Sequence, residues 1–110
     1  MPDRDELAQL RAEAEAEVAT LEQDLSALFE ASRSSNADDE HDPEGSAIAF
    51  ERAQLTAVLG AARRRVTELT GALERLAAGG YGVCETCAEP IPAERLAARP
   101  AARTCVTCAA

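Results

Sequence analysis

Four cysteines, and no others, mark the last quarter of the chain: Cys84 and Cys87, then Cys105 and Cys108. Their spacing is C-x2-C-x17-C-x2-C. Two residues between paired cysteines let the backbone curl into a knuckle that turns both sulfurs toward one point. The intervening loop is long enough to bring the second pair back onto the first. This is the ligand pattern of a tetrahedral four-thiolate zinc site. Four thiolates leave no open position for water or substrate, so the expected metal is one structural Zn2+ per chain. The competing readings are two disulfides or a redox dithiol. Disulfides suit an exported chain, and no signal-peptide pattern is seen. A thioredoxin-like C-x-x-C needs a βαβ setting, and the helical patterns described below do not provide one. A thiol sensor that ejects zinc on oxidation stays open as an alternative.

A second group of residues with chemical potential is acidic: Asp38-Asp39-Glu40-His41-Asp42, with Glu44 just beyond. A run of carboxylates is ordinarily a solvated turn. His41, the only histidine, reads as part of that solvated stretch. Nothing pairs a nucleophile with a base, so an enzyme is not expected.

The elements that must position these groups are helical. Only 3% of the 110 residues are aromatic, and the large apolar residues are mostly Leu and Val. That composition suits long helices joined through a narrow seam rather than a globular core. Asp3 caps a first helix, with Glu6 completing a capping box. Leu7, Ala14, Leu21 and Leu28 recur by sevens, with Val18 and Leu25 between them, to about Ala31. Residues 32–45 break the pattern with Ser, Asn, Pro and Gly. A second helix begins at Pro43, with Asp42 as cap, or at Ser46, and runs to Ala78. Its seam is Leu55, Leu59, Ala62, Val66, Leu69, Leu73 and Leu76, and Gly79-Gly80 ends it. An antiparallel hairpin sets Leu21 against Leu59 and Leu7 against Leu73. It places Arg63, Arg64 and Arg65 near Glu15 and Glu17, and leaves Arg11 opposite Leu69. After Gly80 come the first cysteine pair, a short helix over Ala93–Ala98, and Arg99-Pro100 before the second pair. The expected division is therefore 1–80, an antiparallel coiled-coil hairpin with an acidic tip at 32–46, and 81–110, a small four-cysteine zinc finger.

Formal net charge is −9. Phosphate repulsion opposes general nucleic-acid binding by so acidic a chain, so no direct DNA contact is expected. No apolar run is long enough to span a membrane. Reduced thiols without an export signal point to the cytoplasm, and the self-contained hairpin to a monomer.

Tyr81-Gly82-x-Cys84-x-x-Cys87, Ile91, Arg95-Leu96-x-Ala98-x-Pro100 and Cys105-x-x-Cys108 resemble the DksA/TraR family of bacterial transcription regulators. The resemblance implies a coiled-coil hairpin joined to a zinc finger. It also implies a regulator that binds RNA polymerase, enters its secondary channel tip first, and modulates initiation without binding DNA. It makes Asp38, Asp39, Glu40, Asp42, Glu44 and Ala47 the tip that approaches the polymerase active centre. Arg95 and Arg99 become candidate contacts to polymerase or, as a secondary expectation, to ppGpp. Asp42 and Ala47 match the family's Asp-x-x-Asp-x-Ala tip, while Gly45 stands at its second Asp. Ala88 stands where the family usually has Gly, and Ala109 where a basic residue follows the last cysteine. The alternative to a polymerase regulator is a zinc-dependent coiled-coil adaptor or the redox sensor named above.

Overall fold

The computed structural model describes residues 1–35 and 43–109, with backbone only for residues 32, 34, 35 and 43–45. Three helices follow in order: α1 (Arg4–Ser35), α2 (Pro43–Ala78) and α3 (Ala93–Ala98). No strand is formed among the described residues beyond one isolated antiparallel bridge, Val83 to Pro90. The protein is a mostly α fold, with two long helices in a hairpin and a four-cysteine cluster toward the C-terminus.

Asp3 starts α1 as expected: the Glu6 N–H donates to Asp3 Oδ1 at 2.8 Å, satisfying one of the orphan donors of the first turn. The helix runs further than the sequence suggested. Residues 32–35 belong to α1 and not to the break. Serine is only mildly unfavourable inside a helix, and the cost is easily outweighed in an established one. Of the two candidate starts for α2, the structure takes Pro43, whose fixed φ and missing N–H cost nothing in a first turn. The end of α2 is a Schellman motif. Gly80 N–H donates to Arg75 O at 2.8 Å and Gly79 N–H to Leu76 O at 3.2 Å. Gly79 takes φ +89°, a conformation that glycine alone adopts without strain.

The chain forms two compact units. One gathers Met1–Glu13 with Arg65–Ala110, and the other is Ala14–Arg64. These units follow packing and cut across α1 and α2, whereas the expected division at residue 80 follows sequence motifs.

In the unit Ala14–Arg64, Arg52 carries its guanidinium 5.3 Å from the centre of the Phe29 ring, and Arg63 Nη2 donates to Glu22 Oε2 at 2.8 Å. The later residue of α2 meets the earlier residue of α1, so the pairing is antiparallel. Arg63 pairs with Glu22, which lies beyond Glu15 and Glu17 along α1. Ala14, Leu59 and Ala62 are buried here, while Val18, Leu21, Leu25 and Leu55 are half-buried. The seam is narrow, as an Ala- and Leu-rich heptad pattern dictates.

The other unit holds most of the fully buried side chains: Leu7, Leu69, Ala72, Tyr81, Cys84, Ile91 and Leu96. Arg11 is half-buried beside this seam and lines a groove with Leu73 and Leu76, so its stem adds apolar cover.

Candidate metal centre

The first cysteine pair sits on a tight loop closed by the Val83–Pro90 bridge. Ile91 N–H donates to Gly82 O at 2.8 Å, and Cys84 N–H to Glu89 O at 2.9 Å. The Ala88 N–H then returns to Cys84 O at 2.9 Å. This closure forces Ala88 to φ +64°, the left-handed region that an L-residue occupies only at a cost. Gly82 has φ +85°, and a Cβ built on it would lie 3.2 Å from Met1 Sδ and 3.7 Å from Leu96 Cδ1. Glycine is needed there for both conformation and space.

Pro92 O accepts from the N–H groups of Arg95 and Leu96, at 3.0 and 3.1 Å, and opens α3. That helix delivers Leu96, which is fully buried, and with Ile91 it supplies the apolar floor of the finger. The second pair lies on a turn in which Cys108 N–H donates to Cys105 O at 3.2 Å.

The two turns bring the four sulfurs within 4.8 Å of one another. Cys87 Sγ and Cys105 Sγ are 3.8 Å apart. A tetrahedron with Zn–S bonds of about 2.3 Å has edges of about 3.8 Å, so the donor set fits Zn2+ in both number and spacing. The cysteines are free thiols and form no disulfide. Cys84 is the buried anchor, and Cys87 is exposed.

Electrostatics prepare the cluster for a cation. The N–H groups of Cys87 and Cys105 lower the Cys84 thiol to about 6, against the opposing effect of burial. Hydrogen bonding to Cys105, with burial, pushes Cys108 up to about 12. At Cys87 the N–H of Glu89 pulls downward, but hydrogen bonds to Cys84 and burial leave the thiol raised. One thiolate is favoured and further negative charge is resisted. A divalent ion reverses that resistance.

Of the remaining sequence-derived site residues, Asp38, Asp39, Glu40 and Asp42 lie outside the described residues, as does His41. Glu44 is in the first turn of α2, and Ala47 is exposed one turn later. Arg95 is half-buried and its Nε donates to Thr104 O at 2.8 Å, while Arg99 is exposed. Both line a cleft of about 620 Å3 with Arg65, Arg103, Glu68 and Ala109. Four arginines and one carboxylate line it, in a chain whose net charge is −9. Sequence reasoning missed Arg75 and gave Tyr81 a place in the motif but no bonding role; they donate to Ala101 O at 3.3 Å and Pro100 O at 2.7 Å. Nothing in their spacing signals a bond to a loop some twenty residues away.

Residues 79–110 match the family model of the prokaryotic DksA/TraR C4-type zinc finger. An uncharacterized protein of Aquifex aeolicus (strain VF5) is 50% identical over 42 residues, 38% of this chain and 29% of that protein. The aligned segment thus spans less than a third of that relative's length. Among solved structures, that of transcription factor DksA2 from Pseudomonas aeruginosa superposes with a TM-score of 0.56 at 26% identity, covering 97% of this chain and 86% of that one. No described helix is long and apolar enough to cross a membrane.

Proposed function

We propose that this chain, whose residues 79–110 match the family model of the DksA/TraR C4-type zinc finger, is a transcription regulator that binds bacterial RNA polymerase. In this reading it works in the cytoplasm as a monomer, does not act as an enzyme, and makes no direct contact with DNA. The observation that carries the proposal is the likeness to a transcription factor across almost the whole chain, finger and helices together. A zinc finger alone would fit many adaptors. A finger following two long antiparallel helices is a more specific combination.

The proposed mechanism divides the work along the chain. The helices α1 and α2 enter the polymerase secondary channel, and the finger, residues 81–110, docks outside it with Zn2+ as its structural core. The acidic segment Asp38, Asp39, Glu40, Asp42 and Glu44, with Ala47, approaches the active centre and alters initiation. Hard carboxylate oxygens next to a catalytic Mg2+ supply the chemistry. The arginine-lined cleft supports a second element of the reading. Arg95 and Arg99 there suit a phosphorylated surface or a polyphosphate nucleotide such as ppGpp, since guanidinium forks match phosphate oxygens. Glu68 and Ala109 in the same cleft lower the positive charge offered to it.

The test is direct binding. The zinc-loaded chain should associate with core RNA polymerase at micromolar concentration and change initiation at a responsive promoter. Absence of any association would remove this function and leave the adaptor reading in its place.

A further inference from the structure

The stretch Pro100–Thr104, which leads into the second cysteine pair, makes few hydrogen bonds of its own. Four of its carbonyls are taken up from elsewhere in the same compact unit. Tyr81 OH donates to Pro100 O at 2.7 Å. Arg75 Nη2, from the last turn of α2, donates to Ala101 O at 3.3 Å. The Glu85 N–H donates to Arg103 O at 2.9 Å. Arg95 Nε, from α3, donates to Thr104 O at 2.8 Å. A fifth link runs the other way, from Arg103 Nε to Glu85 Oε1 at 3.0 Å. Thr104 immediately precedes Cys105, and Glu85 immediately follows Cys84.

We infer that Arg75 and Arg95 are positioning residues of the zinc centre. They fix the segment that presents Cys105 and Cys108, and so control how long the finger retains its metal. Two features support this. The guanidinium is a planar, permanently charged donor, and a charge-assisted bond to a carbonyl is stronger than the neutral bond an ordinary turn would make. The arrangement is also partly withdrawn from water: Arg75 and Arg95 are half-buried and Tyr81 is buried. Burial lowers the Arg75 pKa, Arg103 lowers it further, and Glu85 and Tyr81 oppose them, so these groups lie in one another's field. The short helix α3 and the end of α2 are therefore tied to the second knuckle by side chains rather than by secondary structure. Arg95 commits its Nε to this contact inside the finger.

The experiment measures zinc release from the full-length zinc-loaded protein to a chromogenic chelator, well below the melting temperature. The variants are Arg75→Gln, Arg95→Gln, Arg95→Lys and Tyr81→Phe. Outer-shell partners of metal sites typically change affinity about 10–100-fold when removed. Release from Arg75→Gln and Arg95→Gln should accelerate by about that factor, with Arg95→Lys intermediate. Arg64→Gln, which removes the same charge outside this unit, should release zinc at the parent rate. The Co2+-substituted variants should keep the thiolate charge-transfer spectrum of the parent, since all four ligands still bind. Release within about twofold of the parent for both glutamine variants overturns the inference. So does a changed Co2+ spectrum, which would mean that the ligand set itself had altered. Tyr81→Phe removes only one oxygen and keeps the test decisive if an arginine variant folds poorly, since it too should speed release. None of these readouts involves polymerase, so the result stands apart from the fate of the proposed function.

Discussion

Cys87 and Cys105, one from each half of the finger, hold their sulfurs 3.8 Å apart. Two residues so distant in sequence reach a tetrahedral edge only if the whole segment between them is folded. Metal binding and folding of the finger should therefore be one process. Cys105→Ser should abolish stoichiometric zinc binding and increase protease sensitivity within 81–110, while most helical circular dichroism persists. Reduced protein that remains metal-free after zinc is supplied would refute the site.

Metal uptake should also release protons. Cys84, near 6, is already mostly thiolate at pH 7, whereas Cys108, near 12, must lose its proton to bind. Proton release at pH 7 should thus be positive but fall short of one per cysteine. Because the Cys84 pKa is depressed from 9.0 to about 6, the ionic stabilisation it gives is complete only above about 9, partial at neutral pH and lost as pH falls through about 6. Zinc affinity should weaken over the same interval. Titration in weak buffer, with affinity measured against pH, checks both signs.

The finger was legible in the sequence because its chemistry is local. The cysteine spacing, Ile91, Leu96 and the span Ala93–Ala98 depend on near neighbours and turn residues, and the structure has them where they were expected. The Asp3 cap and the Gly79 terminus belong to the same class. What the sequence concealed depends on long side chains and on chain path. Arg63 could reach any of several glutamates, and only the three-dimensional register selects Glu22. Arg75 and Tyr81 bond carbonyls, which every residue possesses, so no residue type marks the acceptor. Helix α1 passed through Ser32 because propensity is a weak prior against an existing helix.

Ala88 offers a stability test. Its φ of +64° places a Cβ where L-residues are disfavoured by about 1–2 kcal/mol. Glycine removes that strain but gives back some freedom to the unfolded chain. Ala88→Gly should stabilise the zinc-loaded finger by up to about 1 kcal/mol, seen as a higher unfolding midpoint in denaturant. A lower midpoint would mean that the methyl group makes packing contacts that outweigh its backbone strain.

The hairpin seam makes a separate prediction. Leu59 is 4% exposed, and Leu21, its expected partner on α1, is half-buried. Leu59→Ala should cost about 2–5 kcal/mol, and Leu21→Ala less, in proportion to its smaller burial. Cysteines introduced at 21 and 59, in a background where the finger is zinc-protected, should crosslink within one chain. Crosslinks found only between chains would instead describe a dimeric coiled coil.

The proposed function predicts that binding and effect can be separated. The acidic residues and the finger are distant in sequence and differ in chemistry, one a set of hard carboxylate oxygens and the other a four-thiolate fold that the proposal makes the docking surface. Neutralising the first should not disturb the folding of the second. Asp42→Asn with Glu44→Gln should therefore leave affinity for polymerase within a few-fold of the parent and remove the change in initiation at a responsive promoter. Cys105→Ser should do the reverse, weakening association itself, with the residual effect recovered at higher protein concentration. Gly45 sharpens the test, because it stands where related tips carry a second Asp. If Glu44 supplies the missing charge, Gly45→Asp should rescue the Glu44→Gln protein. A neutralised tip that retains full activity would show that the effect on transcription arises from docking alone.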